Sequence, residues 1–200
     1  MNKFFKHLGL VNAHRFRVFL NGCKCGIGFH CLFHDLSKYG PTEFLRSVKF
    51  FDGTHSPVLE ERLEHNYFSL ICQHHTRRNK HHWEYWVDFF QGNIIALTMP
   101  WKYAVEYVCD VISAAQTYDP KGFKRDAPYL YFNKKKDHYF TNKGTAEFVT
   151  YCLKEFAENG WKNLHKKQTK AKYEEISKNF KEIDIFETEI EGIDFPKLKN

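Results

Sequence analysis

Histidine and carboxylate side chains are the groups in this sequence whose types and spacing could do chemistry. The chain has 12 histidines, and His34 is directly followed by Asp35 in the string HCLFHDLSKYGPTEF. Imidazole nitrogens and carboxylate oxygens are ligands that proteins offer to divalent ions such as zinc, iron, nickel and manganese. Adjacent side chains of a helix point about 100° apart, so this pair can reach one ion only if the ion lies between the two directions.

Two further candidate ligands occur on segments with apolar helical spacing. His14 shares a predicted helix face with His7, Leu10 and Val18, where a histidine is either a hydrogen-bonded core residue or a ligand. Asp110 occurs in VEYVCDVISAA, the most apolar predicted helix. Burying a carboxylate without a partner costs several kcal/mol. We therefore expect Asp110 to face either a metal ion or an arginine.

The densest cluster is the string QHHTRRNKHHWEYW, which holds four histidines between residues 74 and 82. A solvated, histidine-rich turn is one interpretation. Trp83 and Trp86 close the string, and they favour a packed turn instead. A packed turn could present imidazoles to a metal ion.

The spacing of apolar residues predicts helices almost throughout the chain, so we expect an all-α helical bundle. The predicted helices cover residues 3–20, 29–38, 42–50, 56–76, 81–90, 100–117 and 141–158.

The composition changes after residue 160. Residues 162–172 carry five lysines and one histidine, and an acidic run with interspersed isoleucines follows. We predict a helical metal-binding domain over residues 1–160 and a C-terminal extension, basic and then acidic, over residues 161–200. A strand pair, a docked tail and a frayed end are all compatible with the acidic run.

Composition excludes several classes of protein. With 200 residues, 20 Phe and 11 Tyr, the chain is too aromatic to be disordered. No stretch reaches 18 apolar residues, and the first 20 residues lack the continuous apolar core of a signal peptide, so we expect a cytoplasmic protein with six reduced cysteines. The net charge of +6 combines a balance of +10 over residues 1–173 with −4 over residues 174–200. A basic body favours an anionic partner, although it could serve solubility alone.

The order His, His-Asp, His, His, Asp resembles the HD superfamily of metal-dependent phosphohydrolases. The string HDLSK is similar to the His-Asp-x-x-Lys of the HD-GYP phosphodiesterases. The strings HDLSKYGPTEF, HHTRRNKHHWEYW and MPWKYAVEYVCD together look more closely like a little-characterised bacterial and phage family of HD-like proteins, over roughly residues 7–155. This resemblance implies an all-helical HD fold and leaves the substrate open.

The resemblance also implies a ligand set for one or two divalent ions, without distinguishing Mn, Fe, Zn, Ni and Mg. One ion would be held by the first-helix histidine, the His-Asp pair and the late aspartate. A second ion would share Asp35 and use His75 and His81, with His81 preferred over His82. His74 and His82 are expected to support these ligands. The full set of predicted ligands is His14, His34, Asp35, His75, His81 and Asp110. The histidine spacing of the HD-GYP proteins is not reproduced, and no Gly-Tyr-Pro follows.

The activity implied is that of a phosphomonoesterase or phosphodiesterase acting on a nucleotide or another small phosphorylated compound through a metal-bound hydroxide. Asp35, Lys38 and Glu43 are the expected catalytic residues, with Glu43 orienting the attacking water or a ligand. Lys38 and Arg78 are expected to hold phosphate. A solvated lysine and a helix N-terminal carboxylate are the alternative interpretations of Lys38 and Glu43.

Three other functions compete with this prediction. The HD fold also hosts mixed-valent di-iron oxygenases with the same ligand order. The lysine run at residues 162–172 could bind nucleic acid, although no recognised nucleic-acid motif accompanies it. A structural zinc site could form on Cys23, Cys25, His30 and Cys31. The narrow spacing of these cysteines favours free thiols.

Overall fold

The computed structural model describes residues 2–53 and 56–187, and most of these residues are helical. No helix in this described part is long and apolar enough to cross a membrane. The helices are α1 (Lys3–Lys24), α2 (Gly28–Cys31), α3 (Pro41–Phe50), α4 (Pro57–Glu64), α5 (Leu70–Arg78), α6 (Trp101–Tyr118), α7 (Ala127–Lys135), α8 (Lys143–Asn159) and α9 (Lys166–Ser177). Short 3₁₀ turns cover Leu36–Tyr39, Trp83–Trp86 and Lys136–His138, and the strands are β1 (Val87–Phe90), β2 (Asn93–Leu97) and β3 (Ile183–Glu187).

Side-chain caps and prolines determine where several helices begin. The side-chain oxygen of Asn2 accepts a hydrogen bond from the backbone of α1, Ser69 does the same for α5, and Asn142 for α8. Each cap satisfies a backbone donor that has no partner within its helix. Pro41 and Pro57 occupy the first positions of α3 and α4, where a missing N–H costs nothing.

The main core lies where α1, α6 and α8 pack together. Val18, Ile112 and Phe148, one residue from each helix, have no exposed surface. The same core takes in Leu164 and Ile176, which belong to the predicted C-terminal extension. Residues 161–177 therefore pack as a continuation of the helical body. Residues 188–200 of the predicted extension, with two of the isoleucines in its acidic run, lie outside the described residues.

A small antiparallel sheet corrects the all-α prediction for one part of the chain. Its strand order is β1-β2-β3, with Val87 opposite Ala96 and Ile95 opposite Ile185. The helix predicted over residues 81–90 is therefore wrong, because its second half forms β1. Short apolar runs fit a helix or a strand equally well, and here the pairing with a distant segment decides. The core of the protein is helical, as predicted.

Two predicted helices are interrupted by residues with left-handed backbone. The segment predicted as one helix over residues 29–38 leaves α2 after Cys31 and passes through Asp35, which has φ 53°. The segment predicted as one helix over residues 56–76 breaks between α4 and α5, where Asn66 and Tyr67 have φ 50° and 68°. A positive φ is incompatible with a right-handed helix, so neither predicted helix can run through these positions.

Candidate metal centre

The six predicted ligands come together in two overlapping groups that share one carboxylate. In each group, the candidate ligand atoms all lie within 4.8 Å of one another. We call the groups half-site one and half-site two. Half-site one consists of His14, His34, Asp35 and Asp110, and half-site two consists of Asp35, His75, His81 and His82.

Half-site one joins two long helices to the turn that follows α2. His14 lies in the middle of α1, and its Nε2 atom is 3.0 Å from Asp110 Oδ1 on α6. The Nε2 atom of His34 lies 3.4 Å from His14 Nε2 and 3.2 Å from Asp35 Oδ2. These four side chains therefore direct their nitrogens and oxygens at one another from three separate elements.

Half-site two is built on α5 and the turn that follows it. The Nε2 atoms of His75 and His81 each lie 3.4 Å from Asp35 Oδ1. His82, predicted to stand beside the ligands, is itself a member of the group, and its buried Nε2 atom has no hydrogen-bond partner. The structure therefore brings both His81 and His82 to the second group.

Asp35 stands between the half-sites, with Oδ2 facing the first and Oδ1 facing the second. The residue is buried, and its Oδ1 atom has no hydrogen-bond partner. Its φ of 53° is in the left-handed region, which aspartate tolerates better than most residues. Because His34 and Asp35 lie on a turn rather than a helix, the 100° offset between neighbouring helix residues does not apply to them.

Arg15 holds this turn in place. Its Nε atom donates to the backbone oxygen of His34 over 2.7 Å, and its Nη2 atom donates to that of Leu32 over 2.9 Å. Its Nη1 atom donates to the hydroxyl of Tyr39 over 2.9 Å. Arg15 thus fixes the backbone that carries the His-Asp pair. We found no sequence signal that would have predicted this role.

Glu106 lies behind one histidine of each half-site, and sequence reasoning missed it. Its Oε1 atom is 2.9 Å from His34 Nδ1 and 3.3 Å from His81 Nδ1, and its Oε2 atom is 2.6 Å from His30 Nε2. A carboxylate that accepts from Nδ1 of an imidazole leaves the Nε2 lone pair free for a metal ion. Glu106 therefore orients a candidate ligand of each half-site.

Glu43 has the corresponding position behind half-site two alone. Its two carboxylate oxygens lie 2.9 Å from His75 Nδ1 and 2.6 Å from His74 Nδ1. His74 is thus placed beside the ligands, as the resemblance implies. These contacts make Glu43 an orienting group for His75, and its predicted role with the attacking water stays a prediction.

The ionisation of the centre follows from its neighbouring charges. Burial would raise the pKa of Asp35, but His34, His75 and Lys38 hold it well below its usual range. Burial would lower the pKa of His34, but Asp35, Asp110 and Glu106 raise it well above its usual range. The Asp35 carboxylate is therefore ionised and balanced by positive charge, a balance that a divalent ion could supply.

The pKa values of His14 and His82 are lowered, in contrast to that of His34. Burial lowers the pKa of His14, with a further contribution from the Lys38 charge. Burial also lowers the pKa of His82 well below its usual range, with His81 and His75 adding to the shift. Both imidazoles are therefore neutral at pH 7, which is the form that binds metals.

The residues fit one or two divalent ions with nitrogen and oxygen ligands. Asp35 Oδ1 and the Nε2 atoms of His81 and His82 are buried without a hydrogen-bond partner, which is rare in folded proteins. A metal ion would satisfy these atoms. The six cysteines are free thiols, and in the described part of the chain none of them belongs to a group of close candidate ligands. His30, proposed for the alternative zinc site, contacts Glu106 instead.

A cavity of about 350 Å³ opens onto both half-sites. Its lining includes His14, Asp110, His75 and His82, together with Lys38. The ammonium nitrogen of Lys38 lies 2.7 Å from Asp35 Oδ2. Lys38 therefore lines the cavity and is paired with the shared carboxylate, and its predicted contact with phosphate stays a prediction.

Arg78, the other predicted phosphate-binding residue, does not lie in the cavity. It is the last residue of α5, its side chain is exposed, and it is absent from the described residues that line the cavity. The prediction that Arg78 holds phosphate therefore lacks the expected placement.

Comparison with known proteins identifies a family but no characterised relative. No curated protein and no solved structure gives a significant match to the chain. A family model described as a family of unknown function, DUF5662, matches residues 3–183. This match covers every element of the candidate metal centre and reaches into β3. The chain therefore belongs to the DUF5662 family.

Proposed function

We propose that this protein is a metal-dependent phosphohydrolase of the HD type that acts on a small phosphorylated compound. The observation that carries the proposal is a buried aspartate shared by two histidine-rich half-sites, next to a lysine that lines a cavity. Carboxylate-sharing sites of this kind can hold two ions near one phosphoryl group.

The chemistry divides between the ions and the side chains. When bound, divalent ions lower the pKa of a coordinated water towards neutrality and offset negative charge on a phosphoryl oxygen. Asp35 can contact an ion through each of its oxygens, because the two oxygens face different half-sites. The Lys38 ammonium can hold a phosphoryl oxygen by a charge-assisted hydrogen bond. In the overall reaction, the oxygen of a water molecule forms a new bond to phosphorus and the ester P–O bond breaks. The alcohol leaves with a proton from that water.

The test begins with elemental analysis of protein purified without chelators, followed by the hydrolysis of a panel of phosphate monoesters, measured as phosphate release, and diesters, measured as alcohol release. We expect release that depends on the metal and is lost in Asp35→Asn. Lys38→Ala should keep its metal but lose turnover by roughly tenfold or more, the scale of one charged contact. Lys49→Ala is the matched control, because Lys49 is an exposed lysine on α3. Metal-loaded protein that hydrolyses neither monoesters nor diesters in the panel would contradict the proposal.

A di-iron oxygenase is the second candidate function. The observation that favours it is the number of imidazoles, since five histidines contribute to the two half-sites and histidine-rich sites with shared carboxylates suit iron. Bound iron with substrate-dependent oxygen consumption, and no phosphate release, would support this alternative.

A further inference from the structure

The cavity above the metal centre has few positive charges. Lys38 is the only lysine or arginine among the described residues that line it. Arg17 contacts Thr117 and Arg62 contacts Cys72, but neither guanidinium is part of the lining. A cavity built to hold a polyphosphate needs several cations, because each phosphoryl group carries its own negative charge.

His7 does not add to this charge. It lines the cavity, but burial and the nearby Lys38 charge lower its pKa to about 4. Its ring is therefore neutral at pH 7 and lies against the rings of Phe44 and Phe51. Its buried Nδ1 atom has no hydrogen-bond partner, so it can contact a neutral polar group of a bound compound.

Glu84 places a carboxyl group in the same cavity. Its Oε2 atom is buried and has no hydrogen-bond partner. Glu43 also lines the cavity, but its oxygens contact His74 and His75. A carboxyl oxygen accepts hydrogen bonds from hydroxyl and amino groups and, when ionised, repels phosphate. Glu84 is thus suited to a neutral part of the bound compound.

The rest of the lining is largely apolar or aromatic. It includes Leu10, Val58 and Ile71, together with the rings of Tyr118 and Tyr131. The volume of about 350 Å³ is at the small end of ordinary ligand sites, which span roughly 300–1,000 Å³. Such a cavity has room for a single ring-bearing compound and offers that compound apolar surface.

From these observations we infer that the cavity selects monophosphate esters of an apolar or aromatic body and disfavours compounds with additional phosphoryl groups. This inference rests on the proposed function and narrows its substrate class. One phosphoryl group is held by the metal centre and Lys38. The body of the ester lies against the tyrosines and aliphatic side chains. A second phosphoryl group has no further cation in the described lining and shares the cavity with Glu84.

Kinetics on matched substrates tests the inference. We expect kcat/KM of the metal-loaded protein to be about tenfold or more higher for adenosine monophosphate than for adenosine triphosphate, the scale of one uncompensated charge contact. It should likewise be higher for phenyl phosphate than for glycerol phosphate. Glu84→Gln should reduce the preference for the monophosphate, whereas Glu174→Gln, on an exposed residue of α9, should leave it unchanged. Equal or faster hydrolysis of the triphosphate would overturn the inference.

Binding separates this inference from the proposed function. Titration of the metal-loaded protein with phenylphosphonate and with methylenediphosphonate measures the preference without turnover. Tighter binding of phenylphosphonate supports the inference even if no ester is hydrolysed, in which case only the proposed function fails. Tighter binding of the diphosphonate overturns the inference, whatever the enzyme assay shows.

Discussion

The two half-sites share Asp35 but are built in different ways. Half-site one takes His14 from α1 and Asp110 from α6, two long helices that pack against each other in the main core. Half-site two takes its histidines from residues 75–82, a short helix end and the turn after it. One group therefore depends on tertiary packing, and the other depends on the local conformation of one segment.

Side-chain hydrogen bonds, within the segment and to Ser37, hold residues 75–82 in place. The side-chain nitrogen of Asn79 donates to Ser37 Oγ over 2.9 Å and to the backbone oxygen of His75 over 2.8 Å. The indole N–H of Trp86 donates to the backbone oxygen of Lys80 over 2.7 Å. Segments held by such bonds open more readily than helices in the core. Half-site two should therefore be the more easily disturbed half of the centre.

Replacing the shared residue should have the largest effect. Asp35→Asn keeps the side-chain shape and tolerates the left-handed backbone, but it removes the charge that faces both half-sites. We expect metal affinity at both to fall by more than the 10- to 100-fold typical of losing a supporting partner. Elemental analysis and metal titration measure this loss, with Asp137→Asn on an exposed residue as the control. Full metal content in Asp35→Asn would remove the basis of the whole assignment.

Replacing a ligand that belongs to one half-site should have a smaller and separable effect. We expect Asp110→Asn to weaken binding at half-site one, and His75→Ala to weaken binding at half-site two, each by roughly tenfold or more. The metal content of each variant, compared with that of the unchanged protein, measures the separation. If both variants lost the same ion, the division into two half-sites would be wrong.

The two supporting carboxylates, Glu106 and Glu43, should affect the two half-sites differently. Glu106 contacts a histidine of each half-site, whereas Glu43 contacts only His75 among the candidate ligands. Glu106→Gln should therefore weaken metal binding at both half-sites, by about tenfold, and Glu43→Gln should weaken it only at the second. Calorimetric titration resolves the two steps. A Glu106→Gln variant that lost affinity at one half-site alone would contradict the role of Glu106 in supporting both.

The last prediction concerns the stability of the elements that support half-site two. Glu61 is buried and accepts hydrogen bonds from Arg46, Ser69 and the backbone N–H of Ile71, the last over 3.0 Å. Burial opposes ionisation, but these donors hold the pKa of Glu61 below its usual value of 4.5. Its stabilising contribution is therefore present above about pH 4.5 and is lost as the pH falls through the lowered value.

Glu61→Gln should thus lower the free energy of unfolding at pH 7 by about 1–3 kcal/mol, the scale of hydrogen bonds to a charged group. The difference from the unchanged protein should shrink at pH 3. Urea denaturation at the two pH values measures it, and Glu174→Gln serves as the control. A difference that grows towards acid pH would contradict the stated role of Glu61.

Much of the helical body was predictable from the sequence, because apolar spacing and capping residues mark most helices. The dense histidine string located half-site two for the same reason, since its members are close in sequence. Glu106 could have been found as well. It lies one turn before Asp110 in the same apolar helix, so the argument that a buried carboxylate needs a partner applies equally to it.

Two other features, the backbone conformation of Asp35 and the strand β1, could not be predicted from the sequence around them. The backbone of Asp35 is held in the left-handed region by tertiary contacts, among them those of Arg15 to His34 and Leu32. Residues of β1 form a strand, and not the predicted helix, because they pair with β2. The opposite edge of β2 pairs with β3. The left-handed backbone at Asp35 and the sheet both depend on residues far away in the chain. Neither could therefore be predicted from the local sequence.

The position of β3 has a consequence for how the protein is made. The ribosome synthesises β1 and β2 long before Ile183–Glu187, and until then one edge of β2 has no strand beside it. Unpaired edges pair readily with other chains, and this edge belongs to the sheet that continues directly from the His81–Trp86 segment. A nascent or prematurely terminated chain would therefore expose an aggregation-prone edge beside the histidines of the centre.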